Sequence, residues 1–311
     1  MNSTHRSFIL HAGALGDFFT CLPAISEWRR ITCADHYTLA ASPALGQFAR
    51  ECCAIHNCID VTAPSSAFLF GEDESKLASF LSQFRSALLF TNNSALVKTA
   101  ESLGMKPLLS QTPFPETAIP IHVYHLSLFS NHSFDFGITI PPAATHKSEE
   151  LVSPNGRNVL IHTGSGSRRK NWPRENFLLL SDKLRSEGYH IVWIEGPAET
   201  GYTRFPTRDT VLRNLPLSVL AAVMKRCSIY IGNDSGPSHL SSALGMPSVV
   251  IFGPSDPRVW KPAGQKVRTI HKNLPCSPCH GKSPPPRCTN ECLNSISVDD
   301  VFREVRRFIY I

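Results

Sequence analysis

The sequence predicts an α/β chain of two Rossmann-like domains, each a parallel sheet with helices on both faces. Three observations carry that reading. The chain has 311 residues, 42% of them hydrophobic, which suits two cores at roughly 100–200 residues per domain. Short apolar, β-branched runs alternate with amphipathic helical patterns almost throughout, the rhythm of parallel strands joined by helical crossovers. A proline- and glycine-marked stretch, Ile138–Arg157 with Pro141, Pro142, Pro154 and Gly156, reads as a linker between two such runs.

In the first run the strand candidates are Phe8–His11, Tyr37–Ala41, Cys58–Thr62 and Ala87–Thr91. Helical patterns lie between and after them near Phe18–Ile31, Ala44–Cys53, Glu72–Phe84 and Ala95–Leu103. The second run repeats the scheme with strands Val159–His162, Ile191–Glu195, Ile229–Gly232 and Val249–Phe252, and helices near Arg174–Glu187, Leu217–Arg226 and Ser238–Leu244. From Val298 to Ile311, apolar residues at 298, 301, 302, 305, 308 and 309 form a helical stripe opposite a charged face. The expected division is residues 1–150, residues 151–296 and a final helix over 297–311.

Composition removes several classes of function. With 18% charged residues the chain is too apolar for intrinsic disorder. No apolar run approaches the roughly 18–20 residues needed to span a bilayer. The apolar stretch after the polar start Met1–Phe8 is broken at His11 and Asp17, unlike a signal peptide, so the cytosol is expected. Charge is uneven: residues 1–150 hold 9 Lys/Arg and 13 Asp/Glu, a net of −4, and residues 151–311 hold 22 and 12, a net of +10. The basic excess is scattered rather than striped with aromatics, so a small phosphorylated ligand fits better than nucleic acid.

Three segments carry chemistry, each at a strand end leading into a helix. In His11-Ala-Gly-Ala-Leu-Gly-Asp17, Gly13 and Gly16 permit a tight turn. Asp17 then falls in the first helical turn beside the crevice where open α/β sheets bind ligands. It is there either a helix cap or a general base. In His162-Thr-Gly-Ser-Gly-Ser-Arg-Arg-Lys-Asn-Trp-Pro173, the amides and hydroxyls of Ser165, Gly166 and Ser167 with Arg168, Arg169 and Lys170 suit a phosphate, or else form a solvated basic loop. Neither segment has dinucleotide-fold or P-loop glycine spacing. The third, Gly232-Asn-Asp-Ser-Gly-Pro-Ser-His239, is the most informative. Pro237 suits a first helical turn, Ser235 and Gly236 would offer amides to a diphosphate, Asp234 could accept from sugar hydroxyls, and His239 could donate to a phosphate oxygen.

Taken together these segments resemble glycosyltransferase family 9, the heptosyltransferases of lipopolysaccharide assembly. The matching residues are Gly16-Asp17 with Leu22-Pro23-Ala24, Lys170-Asn-Trp-Pro-Arg-Glu-Asn-Phe177, Gly196-Pro-Ala-Glu199, Gly232–His239 and Gly253-Pro-Ser-Asp-Pro-Arg-Val-Trp260, in the family's order. The resemblance implies a GT-B fold, two Rossmann-like domains with parallel sheets facing a central cleft. The first domain would take the acceptor and the second a nucleotide sugar, with the last helix crossing back to the first domain. It implies an inverting transfer without bound metal, most readily from ADP-L-glycero-D-manno-heptose to a lipopolysaccharide core or related glycan at the cytoplasmic face of the inner membrane. Asp17 would be the base, and Lys170, Ser165, Ser167, Ser235 and Gly236 would hold the diphosphate. Glu199 would meet the ribose, Leu215 would line the base pocket, and Asp234 and His239 would contact the donor sugar and phosphates. A nucleotide-sugar 2-epimerase and a non-catalytic nucleotide-sugar-binding protein are the readings from other classes.

Of ten cysteines, six sit in apolar stretches as small hydrophobes. The other four, Cys276-x2-Cys279-x8-Cys288-x3-Cys292, have the number and end spacings of a tetrahedral zinc site. Disulfides and free thiols are the alternatives. The loop also holds Pro275, Pro278, Pro284, Pro285 and Pro286 and little apolar content.

Overall fold

A computed structural model of the chain describes residues 4–309 except Glu72, Asn131, 154–156, Ala198, 200–204 and 280–287. Several residues used above, among them Pro154, Gly156, Ala198, Pro284, Pro285, Pro286 and Ile311, lie outside the described set. The chain divides into two units at Pro141/Pro142.

The first unit runs β1 (Arg6–His11), α1 (Leu15–Thr32), β2 (His36–Ala41), α2 (Pro43–Cys52), β3 (Asn57–Asp60), α3 (Glu74–Leu81), β4 (Ser86–Phe90), α4 (Ser94–Ser102), β5 (Leu108–Gln111) and α5 (Ile121–Leu126). Its strands are parallel in the order β3-β2-β1-β4-β5. The chain reverses direction across the sheet between β1 and β4, where His11 is in register with Phe90. Interior strands are buried on both faces, so they read as unbroken apolar runs rather than alternating ones. On one face Phe8, Leu10, Leu89, Leu77, Leu81 and Leu96 form a core.

The second unit runs α6 (Pro142–Leu151), β6 (Asn158–His162), α7 (Arg174–Ser186), β7 (His190–Glu195), β8 (Thr210–Arg213), α8 (Leu217–Lys225), β9 (Ile229–Asn233), α9 (Gly236–Ala243), β10 (Ser248–Phe252), α10 (Pro257–Trp260), β11 (Val267–His271), α11 (Glu291–Asn294) and α12 (Val298–Ile309). Its parallel order is β11-β10-β9-β6-β7-β8, and the reversal lies between β6 and β9, with His162 beside Gly232. The stretch read as a linker contains α6, which packs on α8. Pro142 is its first residue, a place where proline's missing N–H costs no helical bond, so the prolines there mark a helix start.

In α12, Val301 and Val305 are fully buried in the second unit's core, and Val298, Phe302, Phe308 and Ile309 pack against the same cluster. The helix has one apolar face, and α7, β9 and β10 cover it. Among the described residues, no helix is long and apolar enough to cross a membrane.

Beyond β10, Gly253 is pressed against the fully buried Leu293 of α11: a Cβ there would lie 2.5 Å from Leu293 Cγ. Gly253→Ala should cost about 1–3 kcal/mol by overpacking, and Leu293→Ala about 2–5 kcal/mol by leaving a cavity. The double variant should be less destabilised than the sum, because the new methyl enters the space Leu293 vacates. Urea unfolding of the three variants checks this, and strict additivity would show that the two residues do not share that space.

Candidate functional site

Each unit presents its chemistry at the carboxyl ends of the strands flanking its reversal point, where open parallel sheets bind ligands. In the first unit, His11, Gly13, Asp17, Phe90, Asn92 and Phe114 help line a cavity of about 240 Å³. Asp17 is the third residue of α1. Its Oδ2 accepts the N–H of Ala14 at 3.0 Å, so it caps the helix and lines the cavity at once. Gly13 makes room for this pairing, since a Cβ there would stand 3.1 Å from both Asp17 Oδ2 and His11 Cε1.

His11 is buried, and its Nδ1 has no hydrogen-bond partner among the described residues. Burial pushes its pKa down to about 4. Its ring meets Phe90 edge-on, and Phe90 in turn meets His125. Burial, and then the neighbouring His11 and His122, lower His125 to about 3. His11 therefore offers this cavity a neutral imidazole beside the Asp17 carboxylate.

In the second unit the loop after β6 is tied to the end of β9. Asn233 is fully buried. Its Oδ1 accepts the backbone N–H of Trp172 at 2.9 Å, and its Nδ2 donates to the carbonyl of Thr163 at 2.8 Å. That fastening sets Lys170 beside Asp234, with Nζ donating to Oδ2 at 2.9 Å; the side chains are 20% and 5% exposed. His239 Nε2 lies 3.9 Å from the other Asp234 oxygen. Ser235, in extended conformation, precedes α9, and Gly236 and Pro237 occupy its first turn. The helix's first N–H groups thus emerge next to the Lys170–Asp234 pair.

Glu199 folds onto the same strand end. Gly196 N–H donates to Oε2 at 2.8 Å, and His162 Nε2 lies 3.2 and 3.1 Å from the two carboxylate oxygens. Burial pushes the Glu199 carboxyl up, but His162, by hydrogen bond and charge, and the Gly196 amide outweigh it and hold the group below its usual range. The carboxylate needs the bare backbone of Gly164: a Cβ there would lie 1.7 Å from Oε1.

The structure thus gathers Lys170, Asp234, Ser235, Gly236, His239 and Glu199 at one strand edge. Ser165 shapes its own loop, its Oγ 2.6 Å from Asn171 Oδ1 and 2.7 Å from the carbonyl of Ser167. Gly166 is exposed, and Leu215 lies half-buried between β8 and α8. Ser167 meets the cluster through its backbone, its carbonyl accepting the Lys170 N–H at 2.9 Å. Sequence reasoning quoted His162 and Asn233 inside the motifs and gave them no role. The available signal was position, since both are the last residues of interior strands, next to the reversal.

The zinc expectation for Cys276, Cys279, Cys288 and Cys292 is not met. Among the described residues, no group of three or more His, Cys, Asp or Glu is arranged to hold a metal ion. Burial, and then the charges of Cys279, Cys276 and Cys288, push the Cys292 thiol up. Cys276 and Cys288 are exposed while Cys292 is buried, and all four are free thiols. Spacing along the chain supplied the ligand count but not convergence on one point.

Sequence and structure comparisons bear on the fold and its relatives. The profile described as glycosyltransferase family 9 (heptosyltransferase) matches residues 130–289, just over half of the chain. The lipooligosaccharide heptosyltransferase 2 of Campylobacter jejuni subsp. jejuni serotype O:6 is 24% identical over 169 residues, covering 50% of this chain and 53% of that protein. The chain spans about half the length of the curated relatives it matches. The structure of a glycosyl transferase family 9 protein from Veillonella parvula DSM 2008 superposes with a TM-score of 0.79 at 19% identity, covering 100% of this chain and 98% of that one. Escherichia coli heptosyltransferase WaaC with ADP gives 0.69 at 16% identity, with 97% and 99% covered. At these identities the structural likeness is one of fold, the α/β GT-B fold.

The buried histidines of the first unit make it acid-sensitive. Unfolded, His11 and His125 bind protons below about pH 6.5. Folded, His11 resists until about 4 and His125 until about 3. Stability should therefore fall as pH drops from 6.5 towards 4, on the order of 3 kcal/mol from His11 alone. Urea midpoints between pH 7 and 4 test this. His125→Gln should shrink the loss, and an unchanged loss in that variant would remove His125 as a cause.

Proposed function

The chain belongs to glycosyltransferase family 9, and on that premise we propose that it is an inverting glycosyltransferase moving L-glycero-D-manno-heptose from ADP-heptose to a lipopolysaccharide-core or related glycan acceptor. The observation that carries the reading is the Lys170–Asp234 pair at the start of α9. A partly buried ammonium and a row of helix amides suit a diphosphate, and a buried carboxylate one residue before the helix cap suits sugar hydroxyls. Glu199 takes the ribose hydroxyls, Leu215 lines the base pocket, and His239 and the hydroxyl of Ser235 address phosphate oxygens. Ser165, Gly166 and Ser167 hold the loop that carries Lys170.

In the first unit the cavity lined by His11 and Asp17 takes the acceptor hydroxyl. Asp17 removes its proton as the hydroxyl oxygen attacks the anomeric carbon from the side opposite the diphosphate. The new C–O bond forms as the old one breaks, and the electron pair departs on ADP. Lys170 and the α9 amides supply the positive charge that stabilises this leaving group, so the reaction runs without a bound metal. The enzyme acts at the cytoplasmic face of the inner membrane, where a lipid-anchored core acceptor would be presented.

Calorimetric titration with ADP, UDP, GDP and CDP at one salt concentration tests the donor. ADP should bind selectively, and Lys170→Ala should weaken it about 10–100-fold, the loss of one charge-assisted contact. Preference for another base would change the donor assignment, and no binding at all would end it. Asp17→Asn should lower turnover by a factor of about 10² or more, with ADP affinity within about twofold of wild type. Wild-type turnover in that variant would show that another group takes the proton.

A further inference from the structure

Between the residue assigned to the ribose and the one assigned to the diphosphate stands His162, the last residue of β6, 4% exposed. Its Nε2 faces both oxygens of Glu199 at 3.1 and 3.2 Å, and its Nδ1 lies 3.4 Å from Ser235 Oγ. Glu199 in turn accepts from Gly196 N–H and sits against the bare backbone of Gly164. Ser235 is the residue before α9, and its hydroxyl also approaches Ser238 Oγ at 3.4 Å. One imidazole thus touches two groups that lie 36 residues apart in sequence.

We propose that His162 is a positioning residue of the donor site, joining Glu199 and Ser235 in one relay so that the nucleoside and diphosphate ends of the donor are bound as a unit. The proposal rests on the donor-site reading above. A carboxylate only accepts hydrogen bonds, so the proton on Nε2 points at Glu199. That fixes the imidazole's orientation, and with it the partner of the Ser235 hydroxyl on the other side. Glu199 is held where it meets the ribose, and Ser235 where it meets the phosphates. Loss of the imidazole would release both, although His162 itself need touch neither part of the donor. The arrangement follows the general logic by which an outer carboxylate orients a histidine that orients a third group.

Two replacements separate the relay from simple packing. A Gln amide reaches about as far as Nε2, and an Asn amide about as far as Nδ1. His162→Gln therefore keeps the Glu199 side and loses the Ser235 side, and His162→Asn does the reverse. Binding of ADP is measured by calorimetry for Glu199→Gln and Ser235→Ala in three backgrounds: wild type, His162→Gln and His162→Asn.

In the wild type each change should weaken ADP about tenfold, within the range for groups in one network. In His162→Gln the Glu199 cost should persist and the Ser235 cost fall to about twofold or less; in His162→Asn the pattern should cross over. Costs unchanged in both backgrounds, or reduced equally in both, overturn the relay and leave His162 a packing residue. Because either background alone would reveal coupling to one side, failure of one variant to fold leaves the other decisive. Absence of ADP binding to the wild type itself would instead bring down the donor reading, which keeps the two failures distinct.

Discussion

The second unit's chemistry depends on one buried amide. Asn233 ends an interior strand with neither its oxygen nor its nitrogen facing water, a costly position unless both are paired. They are paired across the reversal of the sheet, with Trp172 N–H on one side and the Thr163 carbonyl on the other. The loop between these residues carries Ser165 and Lys170, so its course is set by the same side chain that ends β9. Trp172 is fixed a second time through its ring, whose Nε1 donates to the carbonyl of Ile296 at 2.9 Å. A loop clamped at both ends can hold a lysine over a helix start; a free basic loop would leave it solvated.

That clamp also explains why a strongly basic half of the chain centres on acids. Asp234 is almost fully buried and Glu199 half-buried, and an isolated carboxylate in either place would be strongly penalised. Each has its cationic or imidazole neighbour: Lys170 and His239 for Asp234, His162 for Glu199. Arg168 and Arg169, the most conspicuous charges in the sequence, are exposed on the outside of the loop. Surface position lets them raise the local potential. Lys170 is the charge the loop turns inward, onto Asp234.

Much of the fold could be read from the sequence, and the parts that could not share a cause. Every interior strand announces itself as an apolar run because both its faces are buried. All four edge strands are partly exposed; β3 still shows as an apolar run, while β5, β8 and β11 carry residues such as Ser110, Thr210, Arg213 and Arg268, so their pattern merges with loop. The helix α6 hid behind its own proline start. At the sites, motif spacing picked out Lys170, Asp234 and Ser235, because consecutive residues at a strand–helix turn are forced together. Pairings across the sheet, His162 with Glu199 and Asn233 with Trp172, depend on tertiary register that no local pattern encodes. The cysteine loop shows the converse: its spacing along the chain suits a metal, yet among the described residues no such ligand group forms.

The two units repeat a single device with opposite electrostatic outcomes. In each, the strand beside the reversal ends in a buried histidine, His11 in β1 and His162 in β6, followed two residues later by a glycine that admits a carboxylate. In the first unit the imidazole packs against the aromatic Phe90, and burial keeps it neutral. In the second unit the imidazole is bracketed by a carboxylate and a hydroxyl. A neutral imidazole next to Asp17 leaves the carboxylate as the strongest acceptor in its cavity, as abstraction of a hydroxyl proton requires. An imidazole engaged by Glu199 takes up part of that carboxylate's negative charge, close to where a diphosphate would lie. The same place in the fold thereby carries a neutral imidazole in one unit and an imidazole tied to a carboxylate in the other. The residues on the neighbouring strands, rather than the histidine, decide which.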